Sequence, residues 1–291
     1  MKKITKAVIP CGGMGTRFLP ITKAVPKEIL PIVDTPVLSY IVDEAIESGI
    51  TDILIVINAH KEMIKEYFTP NPALEETLER TGKSEYAQKL KNIYSRANIT
   101  FAYQDKPLGS AHAILQAESF TGDEPFALAW GDDLILGKPP VMGQLIGAYE
   151  RYGASILGVQ KVLTDDIVKY GVAKISSSDG RAHKCEGIVE KPALHEIPSR
   201  LTSLGRYILT PAVYDEIRQT KPGKGGELQL TDTLNAMCST SGVYAYEFEG
   251  KRYDMGDKFG AMQATVELGL MSDEYGEKFR NYLKNFAKTL D

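Results

Sequence analysis

The sequence predicts an α/β fold with a mostly parallel central sheet flanked by helices and a smaller mixed sheet in the second half. Short continuous apolar runs such as Ile53-Leu54-Ile55-Val56-Ile57 read as strands buried on both faces, as central parallel strands are. Segments with apolar residues at helical spacing separate these runs, and a β-α-β-α order builds a parallel sheet with helices on both sides. After about residue 150 the strand-like stretches come closer together with fewer long helices between them, which favours hairpins and mixed pairing.

Taken in order, Ala7-Val8-Ile9 forms the first strand and runs into a glycine-rich loop, Gly12-Gly13-Met14-Gly15. Thr35-Pro36 opens a helix, with Thr35 as N-cap and Pro36 at the first helical position. Val37, Leu38, Ile41, Val42, Ala45 and Ile46 fall on one face of that helix, and Gly49 stops it. After the strand at 53–57 come a short helix over 61–68 and a strand over 99–103. The polar stretch 69–98 between them is expected to be a helical excursion outside the core. Residues 110–118 are helical with Ser110 as N-cap, and the strand at 125–130 runs straight into Gly131-Asp132-Asp133. Strands follow at 154–160, 171–176, 184–190 and 204–209, and residues 257–290 are helical. With no internal repeat, low-complexity tract or linker, residues 1–291 are expected to share one core.

The bulk properties exclude several classes. Hydrophobic residues make up 43% and charged residues 25%, the balance of an ordinary globular protein. The net charge is −4 and no Lys/Arg tract offers the stripe that counterion release on nucleic acid requires, so bound phosphate must be held by a local site. Cys11, Cys185 and Cys238 are far apart and never in a CxxC pair, which argues against a disulfide framework and a thiolate zinc site. The apolar stretch after Met1 stops at Ile9, short of a secretory core of roughly 7–15 residues or a membrane span of about 20. The cytoplasm is the expected compartment.

The glycine loop follows a strand, as phosphate-cradling loops do, because glycine lets backbone N–H groups approach an anion closely. Arg17 adds a bidentate grip on phosphate oxygens. The P-loop pattern GxxxxGK[ST] is missing, and the dinucleotide pattern GxGxxG fails at Phe18. Pro20 and Pro26 also keep this loop from opening directly into a helix, which disfavours a hydride-transfer enzyme. Prolines 20, 26, 31 and 36 stiffen a segment carrying Arg17, Lys23 and Lys27 and so aim cations at one point with little entropy to lose.

From AVIPCGGMGTRFLPITKAVPKEILP onward the chain resembles the bacterial UTP–glucose-1-phosphate uridylyltransferases. The similarity continues through YQDKPLGSAHAI, GDDLI, KYGV, VEKP, GRYIL, GGELQLTD and YDMGDKFGAMQA. The resemblance implies a Rossmann-like nucleotidyltransferase fold, magnesium dependence, UTP as donor and glucose 1-phosphate as acceptor. It divides the chain into a nucleotide-binding half (about 1–135), a sugar-binding half (about 136–256) and a C-terminal helical segment (about 257–291). It also implies a homo-oligomer, dimer or tetramer, for which Phe279, Tyr282, Leu283 and Phe286 offer apolar surface, against a partner or against the parent domain.

Asp132 and Asp133 follow a buried strand, at the carboxyl edge where α/β ligands bind, and Asp254 lies far downstream in Tyr253-Asp254-Met255-Gly256. Mg²⁺ is usually held by one or two carboxylates plus substrate phosphates, and two aspartates from distant loops meet that need. The resemblance puts the metal on Asp132 and Asp254, with Asp133 the rival for the first place. It assigns Gly12, Gly13, Gly15 and Asp132 to the nucleotide, and Gln104 and Gly109 to the uracil edge. An amide can both accept from N3–H and donate to O4 of that base. It gives Glu190 to the sugar hydroxyls, Lys191 to the sugar phosphate, and Gly171 and Gly205 to close approach of the hexose. Glu227 is a weaker sugar candidate, and Thr231-Asp232 reads equally as a helix cap. His112 reads as structural, and no histidine has metal-ligand spacing.

The expected reaction is in-line attack of the sugar phosphate on the α-phosphorus of UTP. Arg17 and Lys27 would hold the triphosphate and Lys191 the attacking phosphate. The same chemistry with dTTP or another hexose 1-phosphate, or a non-catalytic nucleotide-sugar sensor, are the competing expectations.

Overall fold

The computed structural model describes residues 1–223 and 226–290, so Gly225 of the GGELQLTD island and the terminal Asp291 lie outside the described residues. The chain enters through β1 (Lys6–Pro10) and forms a ribbon of β2 (Pro31–Ile32) and β3 (Thr35–Pro36) before helix α1 (Val37–Glu47). It continues through β4 (Asp52–Ile57), α2 (Glu62–Tyr67), α3 (Pro72–Arg80), α4 (Ser84–Ser95) and β5 (Asn98–Tyr103). The short helices α5 (Ser110–Leu115) and α6 (Glu118–Thr121) then lead to β6 (Phe126–Ala129). These strands, in spatial order β5-β4-β1-β6, are all parallel, with the expected helical excursion at 69–98 realised as α3 and α4.

Next come β7 (Asp133–Leu136), α7 (Val141–Tyr152), β8 (Ser155–Lys161), β9 (Gly171–Asp179), β10 (Ala182–Glu190) and β11 (Leu201–Leu209). The chain ends with α8 (Ala212–Gln219), α9 (Leu230–Thr240), β12 (Val243–Glu247), β13 (Lys251–Asp254), α10 (Lys258–Met271) and α11 (Gly276–Ala287). The second-half strands are mixed in direction, as expected, but they do not make a smaller sheet of their own. β11 runs antiparallel to β6, and β8, β12, β10 and β9 extend the same nine-stranded sheet. Only β7 and β13 stand apart, as an antiparallel ribbon. Apolar side chains from α1, α7 and α10 cover one face of the sheet and those from α5, α8 and α9 the other.

Two local expectations are overturned, one by a short ribbon and one by a distant contact. Thr35 does not cap α1; it is held extended against Ile32, Pro36 takes the cap position, and the Thr35 hydroxyl donates to Asp34 (3.0 Å). A residue before proline is pushed toward extended backbone, which favours this outcome. Ser110 does not cap its helix either: Gly109 precedes α5, and the Ser110 hydroxyl donates to Gln229 (3.0 Å) while accepting from the Leu230 amide (2.9 Å).

On α1, Val37, Leu38, Ile41, Val42 and Ala45 are buried as periodicity requires, and so is Glu44. Arg206 on β11, fully buried, donates to both Glu44 carboxylate oxygens and to the Asp133 carbonyl (2.8 Å). This ion pair fastens α1 and β11 to the turn that carries the aspartates. Among the described residues, no helix is long and apolar enough to cross a membrane.

Candidate active site

Loops from the carboxyl ends of β1, β5 and β6 converge on a cleft of about 360 Å³, lined by Gly12, Gly13, Lys27, Gln104, Gly109 and Asp132. A second hollow of about 210 Å³ adjoins it, lined by Tyr170, Gly171, Glu190, Gly205 and Thr231. Trp130 and Lys191 belong to both. Gly12, Gly13, Gln104, Gly109 and Asp132, expected for the nucleotide, and Gly171, Glu190 and Gly205, expected for the sugar, fall into two neighbouring compartments with Lys191 at their junction, while Gly15 and Arg17 line neither.

The glycine loop turns at Gly15, whose φ of 66° lies in the left-handed region that glycine alone occupies without strain. Its carbonyl accepts from the Thr22 hydroxyl (2.8 Å), and Asn58 donates to the Gly12 carbonyl (3.1 Å). The proline-stiffened segment then delivers Lys27 onto Asp132 as an ion pair. Lys23, expected to aim at the same point, is exposed and lines neither hollow. Beneath Lys27, Glu28 is buried and takes both its hydrogen bonds from Lys61 (2.7 and 2.8 Å). Burial pushes the Glu28 carboxyl up, against the opposing pull of Lys61.

The β7/β13 ribbon brings the distant aspartates together. Asp254 lies opposite Asp133 in its register, and the Met255 amide donates to the Asp132 carbonyl (3.1 Å). A side chain beginning at Gly256 would start 3.1 Å from Asp254 Oδ1, 3.2 Å from Asp132 Oδ2 and 3.3 Å from Arg17 Nη1. Arg17 also donates to the Gly256 carbonyl (3.1 Å). Two carboxylates and a guanidinium therefore converge on Gly256, where even a methyl group would be crowded.

The adjacent aspartates part company here. Asp133 is buried, accepts from Arg252 Nε (2.8 Å) and borders the second hollow, whereas Asp132 lines the first compartment. Burial drives both carboxyls upward. Lys27 overcomes this at Asp132 and holds it below the ordinary carboxylate range, while Asp133 stays above that range despite Arg252. Burial likewise disfavours the Lys27 ammonium, but Asp132 and Glu28 hold it above its usual value. Arg252 donates in addition to the Tyr170 hydroxyl (3.0 Å), which donates to Asp254 Oδ2 (3.0 Å).

At the far end of the first compartment Gln104 donates to the Gly109 carbonyl (3.1 Å) and lies 3.0 Å from His112 Nδ1. In the second compartment Glu190 accepts from the Thr231 hydroxyl (2.7 Å) and pairs with Lys191 (3.3 Å). Thr231 is therefore no cap. Lys191 itself has a φ of 46°, a strained conformation for a residue with a side chain, and its amide donates to the Tyr170 carbonyl (3.1 Å). Glu227 lines the first compartment and not the second, and accepts from Gln229 (2.7 Å).

The residues missed from sequence are the supports. Lys61 carried no local signal. Arg252 sits directly before the Tyr253-Asp254 island, and its position on an ordinary strand gave no hint of its partners.

A glycine-rich loop on a parallel strand faces carboxylates and cations at the sheet's carboxyl edge, and the chain belongs to the nucleotidyl transferase family over residues 6–268. Its relatives are particular. Over 287 residues, 99% of this chain and 97% of the relative, it is 45% identical to YngB of Bacillus subtilis (strain 168), a UTP–glucose-1-phosphate uridylyltransferase. A solved UDP-glucose pyrophosphorylase complexed with UDP-glucose superposes with a TM-score of 0.82 at 37% identity, covering 91% of this chain and 98% of that one. A UTP-bound relative from Acinetobacter baumannii gives a TM-score of 0.89 at 33% identity, covering 96% of this chain and 98% of that one.

Proposed function

We propose that this nucleotidyltransferase moves a uridylyl group from UTP to glucose 1-phosphate, giving UDP-glucose and pyrophosphate. The observation that carries this reading is the pair of adjoining compartments with Lys191 between them, in a chain whose relatives bear this activity in their names. UTP lies in the first compartment, with its base toward Gln104 and Gly109 and its phosphates over Gly12, Gly13 and Gly15. The sugar lies in the second, with Glu190 accepting from its hydroxyls and the backbone at Gly171 and Gly205 leaving it room.

A phosphate dianion needs no general base, so these residues act by alignment and by neutralising charge. Lys191 draws the sugar phosphate to the junction of the compartments. Arg17 and Lys27 hold the triphosphate and the departing pyrophosphate. Lys27 exchanges its contact with Asp132 for one with phosphate.

Magnesium would be held by Asp132 and Asp254, whose carboxylates both approach Gly256. Asp132 and Asp254 offer hard oxygen donors, and among the described residues no cluster of three or more candidate protein ligands forms a closed cage. Two carboxylates completed by substrate phosphates and water are the usual magnesium arrangement. When bound, the ion supplies charge neutralisation at the phosphate oxygens.

We further place the protein in the cytoplasm as a homo-oligomer. Two helices support the second point. α10 buries Gly260, Ala264 and Leu268 yet leaves Phe259 and Met262 68% and 66% exposed, so it is apolar on opposite sides. On α11, Phe279 packs toward Gly269, whereas Tyr282 and Phe286 stack in the open. Light scattering that returned a monomer would dismiss the oligomer.

The decisive assay is pyrophosphate release from UTP and glucose 1-phosphate with Mg²⁺, beside dTTP, other hexose 1-phosphates and an EDTA control. Rapid, metal-dependent release with the named pair is expected. Preference for dTTP or another sugar would overturn the substrate assignment, and no release with any pair would favour the sensor.

A further inference from the structure

Gln104 is 6% exposed, at the end of the first compartment, and both protons of its amide nitrogen are accounted for. One goes to the Gly109 carbonyl (3.1 Å), and the nitrogen lies 3.0 Å from His112 Nδ1. A carbonyl oxygen can only accept, so the amide nitrogen must face Gly109 and the amide oxygen must face the glycine loop. A Cβ on Gly12 would lie 2.7 Å from that oxygen. Among the described residues no donor reaches Gln104 Oε1, and it is not sealed from the cleft. A largely buried side chain thus aims one unpartnered acceptor at the space where a nucleobase would sit.

The second amide proton points at His112 Nδ1, which must offer a lone pair, with the ring proton on Nε2. We propose that His112 is a specificity-determining positioning residue. By accepting from Gln104 it keeps the amide oxygen turned into the cleft, so the site takes a pyrimidine carrying a ring N–H and excludes one presenting a ring lone pair. Uracil and thymine carry that N–H at N3; cytosine does not. Cytosine there would set two acceptors against each other and leave a buried group unpaired, the kind of mismatch that gives strong discrimination. This inference rests on the reading of the first compartment as the base-binding end.

The test compares His112→Leu and His112→Asn with the wild-type chain. His112 is only partly buried at a helix start, so leucine is accommodated; asparagine restores an acceptor near the Nδ1 position. Two readouts apply: kcat and KM for UTP and CTP with glucose 1-phosphate, and equilibrium binding of each nucleotide by quenching of Trp130. That residue is the chain's single tryptophan and lines the same cleft. In His112→Leu the UTP/CTP preference is expected to fall by about ten-fold, the worth of one hydrogen bond, through KM and not kcat. His112→Asn should stay within roughly three-fold of wild type on the same scale. Equal losses for both nucleotides in His112→Leu, leaving the ratio unchanged, would reduce His112 to a structural role and overturn the proposal. So would a His112→Asn ratio as low as that of His112→Leu. A wild-type chain that prefers UTP in binding but releases no pyrophosphate would sink the transfer reading, while the binding ratios still decide the role of His112.

Discussion

Replacing Gly256 by alanine probes the aspartate cradle with a single methyl group. The new carbon would stand 3.1 Å from Asp254 Oδ1, 3.2 Å from Asp132 Oδ2 and 3.3 Å from Arg17 Nη1. Comfortable contact begins near roughly 3.5 Å, so each neighbour must withdraw by a few tenths of an ångström. All three are ends of side chains, which can move. The folding cost is therefore small, about 1 kcal/mol of overpacking, partly offset by the lower chain entropy of alanine in the unfolded state. For a chain of this size that is a change in Tm of about 3 °C or less. Magnesium is far less tolerant, because it demands oxygen ligands at about 2.0–2.1 Å in near-octahedral array. Filling the space and spreading both carboxylates should weaken apparent magnesium affinity by about 10- to 100-fold, the range found when groups that orient metal ligands are disturbed. The assay is pyrophosphate release as a function of magnesium concentration at saturating substrates, with Mn²⁺ binding measured directly and melting as the control. A half-saturating magnesium concentration equal to that of wild type, in a normally folded variant, would refute the cradle as the metal site.

Lys27→Ala should lower kcat by about 10²-fold or more, the scale of removing one preorganised charge stabiliser; steady-state rates near wild type would withdraw Lys27 from the phosphate grip. Thr231→Val removes the donor on Glu190 and should raise KM for glucose 1-phosphate by about 3- to 10-fold while KM for UTP stays within about two-fold; an equal shift in both would place Glu190 elsewhere. Asp132 is held below its ordinary pKa in the folded chain, so its contribution to stability is complete above the unfolded value, about 3.9, and is lost as pH falls through the folded value. Urea midpoints followed into acid should therefore decline less steeply in Asp132→Asn than in wild type, and superimposable acid limbs would contradict the pairing with Lys27.

Much of the parallel half of the sheet is visible in the sequence because β1, β4 and β6 are short runs buried on both faces, a pattern that needs no knowledge of neighbours. How the later strands attach is not visible, because β11 reaches β6 through long-range pairing that composition does not encode. The capping signal at Ser110 lost to a contact likewise distant in sequence, and that at Thr35 to the local β2/β3 ribbon. The site residues Lys27, Asp132, Gln104 and Glu190 stand in islands that sequence alone marks out. How Asp132 and Asp133 differ is visible only in the fold: one step along the chain, Asp133 meets Arg252 at the edge of the second hollow while Asp132 meets Lys27 in the first compartment. Lys61 and Arg252 were illegible for a related reason, and Thr231 was legible only as a cap and not as the partner of Glu190. Which acid a buried cation will meet is decided by elements that pack together only in the finished fold.

The β7/β13 ribbon sets a rule for when activity can begin. A chain emerging from the ribosome delivers its N-terminal portions first. The glycine loop, Lys27 and Asp132 are therefore present long before Asp254, the last strand of the ribbon and the guanidinium of Arg252 that pairs with Asp133 and Asp254. On the proposed function, an unfinished polypeptide, or one truncated ahead of Arg252, would hold the beginnings of a nucleotide cleft with only one side of its proposed cation cradle. Transfer by a half-made enzyme would then be avoided without any separate inhibitor, because the stretch that carries Arg252 and Asp254 would itself complete the centre.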